Sequence, residues 1–222
     1  MKIISLICTF HDERGRISVS KLHEILEHIQ PEVVFLEAPA EWRGSSRLLE
    51  RINSLESSAV SQYASGRSVE LVPVDLPTPE RSFFKKARDF FEAIERNSFQ
   101  YCCLIDHNKE RMINVGFSYL NCESNNKHHS DLHIEILATI ENIRSKGISD
   151  FYKEWLHVVE QRDIEMLSNI ESYCIDNEFS RAVFLVGAAH RDSIMSKSSR
   201  WELSESLQVR WLNFIPPVKI LL

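Results

Sequence analysis

Four residues able to bind a metal or move a proton stand just beyond apolar, β-branched runs in this 222-residue chain. His11 follows Lys2 to Thr9, and Glu37 follows Val33-Val34-Phe35-Leu36. Asp75 follows Val69 to Val74, and His190 follows Ala182 to Val186 through Gly187-Ala188-Ala189. Runs of this length and composition predict buried strands. In an open parallel sheet, ligands bind outside the carboxyl ends of the strands, so two imidazoles and two carboxylates are expected on one rim. Imidazole plus carboxylate is a ligand set for a divalent transition metal such as Mn²⁺, Co²⁺ or Zn²⁺. The same groups can act as general bases without metal.

Those positions need a scaffold, and hydrophobic periodicity supplies it. Val19, Leu22, Ile25, Leu26 and Ile29 recur at helical spacing before Pro31. A longer helix is expected over Ser45 to Ala64, closed by Gly66, and another over Glu80 to Arg96. Asn121 to Ser130 is polar and reads as a loop, with helices following from Asp131 to Ser145 and from about Asp150 to Asn177. Val209 to Leu212 and Val218 to Leu222 read as late strands. The expected fold is α/β, a mostly parallel sheet flanked by helices, as one domain over residues 1–222. A helical insertion over about residues 80–178 precedes the His190-bearing strand.

Composition removes several classes. A net charge of −6 is a poor footprint for a nucleic-acid backbone. The opening MKIISLIC is apolar but falls short of the roughly 20 residues of a membrane span. It runs into polar residues with no small-residue cleavage pattern, so it reads as a strand and not as a signal peptide. The 6 glycines build no dinucleotide or nucleotide cradle and no nucleophile elbow. The 5 cysteines form no Cys-x-x-Cys pair and point to a reducing, cytoplasmic setting.

Cys8-Thr9-Phe10-His11 and Gly187-Ala188-Ala189-His190 together resemble the paired Gly-x-x-His motifs of the TraB/PrgY/Tiki family, with Cys8 where the family has glycine. Phe35-Leu36-Glu37-Ala38-Pro39 is similar to that family's strand-borne glutamate, and Val159 to Met166 to its helical Glu-Arg-Asp segment, with Arg162 on the arginine. The order agrees from Lys2 to about Leu203. The family belongs to a superfamily with erythromycin esterases and ChaN-like haem-binding lipoproteins. The resemblance implies a metal-dependent hydrolase that cleaves an amide or ester bond in a peptide or small molecule. His11, Glu37 and His190 would hold the metal or position water directly, with Asp75 as a further ligand or outer partner. Arg162 would stabilise an oxyanion or grip a substrate carboxylate. The alternative is a module that binds a ligand or partner without cutting a bond, with ChaN-like haem binding a third reading.

Blander readings apply to other features. Asp75 could brace its proline-rich turn, and Arg162 could pair with Glu160 or Glu165 on a helix surface. His128, His129 and His133 are expected in a solvated loop, Phe83, Phe84, Phe90 and Phe91 in core packing, and Cys102-Cys103 as small buried groups.

Overall fold

The computed structural model describes residues 1–199 and 209–214. Strands β1 (Lys2–Thr9), β2 (Val33–Pro39), β3 (Glu70–Asp75), β4 (Arg181–Gly187) and β5 (Val209–Asn213) form one five-stranded sheet, entirely parallel, in the order β3-β2-β4-β1-β5. The central strands are apolar on both faces, as a sheet covered on both sides demands. The segment Val218 to Leu222 lies outside the described residues.

Helix α1 (Val19–Ile29) links β1 to β2 and is capped by the Ser18 hydroxyl, which accepts from the Lys21 N–H. The helix expected over Ser45 to Ala64 is two helices, α2 (Leu48–Ile52) and α3 (Leu55–Ala64). Asn53 takes a left-handed conformation, and Ser54 caps α3 in a reciprocal box with Ser57. Asn and Ser end one helix and start another because their side chains compete for backbone partners.

Between β3 and β4 every described element is helical: α4 (Arg81–Asn97), α5 (Phe99–Val115), α6 (Phe117–Leu120), α7 (Glu123–Ile143) and α8 (Lys146–Asp176), with α9 (Arg191–Ser198) after β4. The stretch Asn121 to Ser130, expected as a loop, is mostly the start of α7, which begins eight residues before the predicted Asp131. Buried Asn125 and His128 face inward there, so tertiary packing outweighs a locally polar composition.

Two apolar cores result. The larger one surrounds the sheet. The smaller one joins α4, α5, α7 and α8 through Phe90, Ile94, Tyr101, Ile136, Phe151 and Tyr152. Helix α8 serves both, giving Phe151, Tyr152 and Trp155 to the small core and Met166, Leu167, Ile170 and Tyr173 to the large one. Its middle turns cross the sheet rim. No described helix is long and apolar enough to cross a membrane.

The insertion also grips the loop after β1. The Arg16 N–H donates to the Ile113 carbonyl, and Gly15, at φ +55°, lies so close that a Cβ there would sit 2.7 Å from Ile113 Cα. Gly66, at φ +75°, faces open space. Gly66→Ala should therefore cost only backbone strain, about 1 kcal/mol, whereas Gly15→Ala adds a collision and should cost more than about 2 kcal/mol. Urea unfolding of the two variants checks this, and equal losses would mean that the Gly15 contact is not tight.

Candidate functional site

The connections from β2 and β4 run towards opposite edges of the sheet, so the rim opens between these two neighbours. Glu37 lies on β2 where the pairing with β3 slips between Leu36 and Pro39. Such an irregularity re-aims a side chain. Its Oε2 accepts the Gly187 N–H at 2.6 Å, across the opening. Asp75, at the end of β3, accepts the Leu76 N–H at 2.8 Å and also faces α8.

Arg162, mid-α8, closes the group. Its Nε donates to Asp75 at 3.1 and 3.2 Å, and Nη2 donates to Asp75 Oδ2 at 2.5 Å and to Glu37 Oε1 at 2.6 Å. The surface pairing with Glu160 or Glu165 is thus replaced by a buried one, and Asp75 braces an arginine as well as its turn. Burial works against the Arg162 charge, but Asp75 and Glu37 more than offset it and hold the guanidinium firmly protonated.

His190 follows β4 through a single 3₁₀ turn, Ala188–His190. Its Nδ1 meets Asp163 Oδ1 at 2.5 Å, with both side chains buried. A carboxylate accepts from the ring, so Nδ1 is the donor of this pair and Nε2 is the nitrogen that faces the opening. Nε2 lies 3.6 Å from Glu37 Oε1, too far for a direct hydrogen bond. Asp163, the residue after Arg162, belongs to the Glu-Arg-Asp segment, but its histidine partner has no signal in the sequence. The adjacent pair follows from α8 lying along the rim.

His11 is the exposed counterpart, with its side chain 61% accessible, and its Nδ1 lies 3.2 Å from Glu56 Oε1. Glu56, in the first turn of α3 and only 7% accessible, had no signal in the sequence, because a glutamate early in a helix is ordinary. The Glu56 contact raises the His11 imidazole to about 9 despite partial burial. Burial pushes the Glu56 carboxyl up, but His11 reverses this and holds it at about 2. Gly187 is the shared floor: a Cβ built on it would lie 3.3 Å from Glu37 Oε2, 3.7 Å from His190 Cδ2 and 3.9 Å from His11 Nε2. A methyl group there would crowd Glu37 and come into ordinary contact with both imidazoles.

All five predicted residues, His11, Glu37, Asp75, Arg162 and His190, line one cleft of about 430 Å³. As metal ligands the carboxylates are already engaged, whereas Nε2 of His11 and of His190 makes no hydrogen bond among the described residues. Both Glu37 oxygens and both Asp75 oxygens accept hydrogen bonds, and His190 Nδ1 is held by Asp163. Among the described residues, no group of three or more histidine, cysteine or acidic side chains is disposed to hold an ion. Mn²⁺, Co²⁺ or Zn²⁺ would have the Nε2 atoms of His11 and His190 to bind, each ring backed by a carboxylate at Nδ1, and a carboxylate ligand only if Glu37 or Asp75 gave up a hydrogen bond.

Cys8 packs down into the core and does not face the cleft, and burial pushes its thiol up to about 12. Its backbone is held by Asn121, whose side chain accepts the Cys8 N–H at 2.7 Å and donates to the Cys8 carbonyl at 3.0 Å. Asn121 takes over just beyond the last β5 pairing, at Leu6. His128 and His129 lie in α7 and not in a solvated loop. Burial lowers both, His128 to about 4, while His133 Nδ1 meets the Tyr152 hydroxyl at 2.7 Å. Cys102 is only half-buried and Cys103 is exposed, contrary to expectation. Of the aromatic stripe, Phe90 is core and Phe84 opens onto the cleft.

No family model matches the chain, and no curated protein matches it. Among solved structures, the crystal structure of a Bacillus cereus protein aligns at 13% identity, over 83% of this chain and 56% of that one, with a TM-score of 0.35. The chain thus spans little more than half the length of that protein, and a likeness at this level carries no weight.

Two outcomes follow from the geometry. Arg162→Met leaves two buried carboxylates facing each other and should destabilise the fold by about 3 kcal/mol or more. Adding Glu37→Gln and Asp75→Asn should recover much of that loss, as denaturant unfolding will show. For the other pair, His11 is raised from 6.5 to about 9 and Glu56 is lowered from 4.5 to about 2. Its stabilisation should be complete between about pH 4.5 and 6.5, fading as pH rises through about 9 or falls through about 2. In Glu56→Gln the His11 ring, followed by NMR, should titrate back towards 6.5. An unchanged midpoint would break the assignment.

Proposed function

We propose that this cleft hydrolyses an amide or ester bond in a peptide or small molecule. The observation that carries the reading is His190, held by buried Asp163 through Nδ1 and offering Nε2 to the opening beside Glu37. That is the arrangement of an oriented general base. A water between His190 and the substrate gives its proton to Nε2 as its oxygen adds to the carbonyl carbon. His11, on the solvent side with Glu56 behind it, supports the developing oxyanion and returns a proton to the leaving nitrogen or oxygen. The C–N or C–O bond then breaks, yielding an acid and an amine or alcohol.

Arg162 has a different role from the one the resemblance implies. With Nε and Nη2 committed to Asp75 and Glu37, it positions Glu37 and neutralises the floor, and only Nη1 is left to face a substrate oxygen. Glu37 orders the approach of water from beside the Gly187 N–H.

The test is turnover of a panel of amides and esters by protein purified without chelator, with and without added Mn²⁺, Co²⁺ or Zn²⁺. His190→Ala and Asp163→Asn should each lower kcat by on the order of 10³-fold or more, the scale found when a triad member is altered. Asp163→Asn is nearly isosteric and should fold, which a thermal scan verifies. Turnover that survives both substitutions would remove the proposed base. If no member of the panel is cleaved, the cleft is a binding module.

A further inference from the structure

The cleft has a second lobe. Beyond the cavity of about 430 Å³ lies another of about 370 Å³, and the two share His11, Glu37, Pro39 and Thr78. The reactive groups therefore stand at a waist, with open space on either side.

The two lobes differ in chemistry. On the α8 side the wall is apolar: Phe83 stacks on Trp155 with centroids 5.7 Å apart and planes 2° from parallel, anchored in the small core. Phe84 and Leu156 extend that wall while remaining 48% and 39% exposed. Exposed apolar groups that line a concave site beside polar, reactive side chains mark a ligand surface. On the α2 side the lining is mixed and richer in polar groups, with Asp12, Asn53 and Ser54 beside Ile52 and a half-buried Trp42. The exposed Arg51 guanidinium lies 5.1 Å from the Trp42 ring and makes no salt bridge among the described residues. A guanidinium resting over an aromatic ring keeps its N–H donors available to a carboxylate.

We propose that the cleft takes an amphipathic acyl conjugate, with an apolar acyl chain along Phe84 and Leu156, a carboxylate-bearing polar head at Trp42 and Arg51, and the carbonyl between them at the waist. This rests on the hydrolase reading for its chemistry. For an N-acyl amino acid, water is consumed, the amide C–N bond breaks, the acyl carbon leaves as a carboxylic acid, and the nitrogen gains the proton and leaves as the free amino acid. Arg51 is the freer guanidinium for that carboxylate, because Arg162 already has Nε and Nη2 paired with Asp75 and Glu37.

Binding and cleavage can be read separately on N-acetyl-, N-hexanoyl- and N-decanoyl-alanine, kept below their aggregation concentrations. Calorimetric affinity for the wild-type protein should rise about two- to fourfold per methylene. Phe84→Ala/Leu156→Ala, both exposed positions, should cut the decanoyl affinity at least about tenfold and leave the acetyl compound unchanged. Arg51→Ala should weaken every chain length by a similar factor and abolish the preference for N-decanoyl-alanine over its alaninamide. Decanoyl binding no tighter than acetyl, or a double variant that keeps the length preference, overturns the proposal. Release of alanine is followed in parallel, with and without Mn²⁺, Co²⁺ or Zn²⁺. Length-dependent binding with no alanine released supports the cleft assignment and defeats the hydrolase reading. Equal cleavage of acetyl and decanoyl compounds does the reverse.

Discussion

Two carboxylates at the ends of neighbouring strands, their side chains 10% and 6% exposed, cannot stay ionised side by side without a cation between them. Arg162 is that cation, and it reaches them from a helix and not from a loop. Desolvating three charges is costly, and the arrangement persists only because the hydrogen-bond geometry is nearly complete. The guanidinium fork fixes where α8 lies along the rim and how it is rotated about its axis. Asp163, one residue on, then meets His190, and Trp155 and Leu156, two turns earlier, face the cleft.

That helix also explains how an all-helical insertion becomes part of the site. Over 31 residues, roughly 46 Å at 1.5 Å per residue, α8 runs from the small aromatic core to the side of β3. The small core gives the cleft its apolar wall, and the large one gives it the strand ends. Asn121 and the Ile113 carbonyl tie the insertion back to β1 and the loop after it, so His11 is braced from outside the sheet.

Each imidazole is backed by a carboxylate, but the two pairs differ in exposure. His11 is open to water while its partner Glu56 is buried, and both shifts favour the charged pair. His190 and Asp163 are both buried, with the free ring nitrogen turned towards Glu37. The two rings thus meet the cleft in different settings, one open to water and one enclosed. Sequence alone presents two equivalent histidines.

The strands, and the residues at their ends, were legible in the sequence because a parallel sheet buried on both faces leaves uninterrupted apolar runs. His11, Glu37, Asp75 and His190 could be placed on one rim from that signal alone. What Arg162 binds could not be read, because helical periodicity shows surface neighbours four residues away and not strands 87 and 125 residues away. Glu56 carries no local signature, and Asp163, though within the Glu-Arg-Asp segment, gives no sign of its partner until the fold brings a histidine to it. The polar start of α7 misled for a related reason: its helix is held by buried side chains, not by composition. Sequence determined which groups reach the edge of the sheet, because burial is written in hydrophobic pattern. Pairing between charges distant in the chain was decided only by tertiary structure, because it depends on where the backbone brings them and on the water that folding removes.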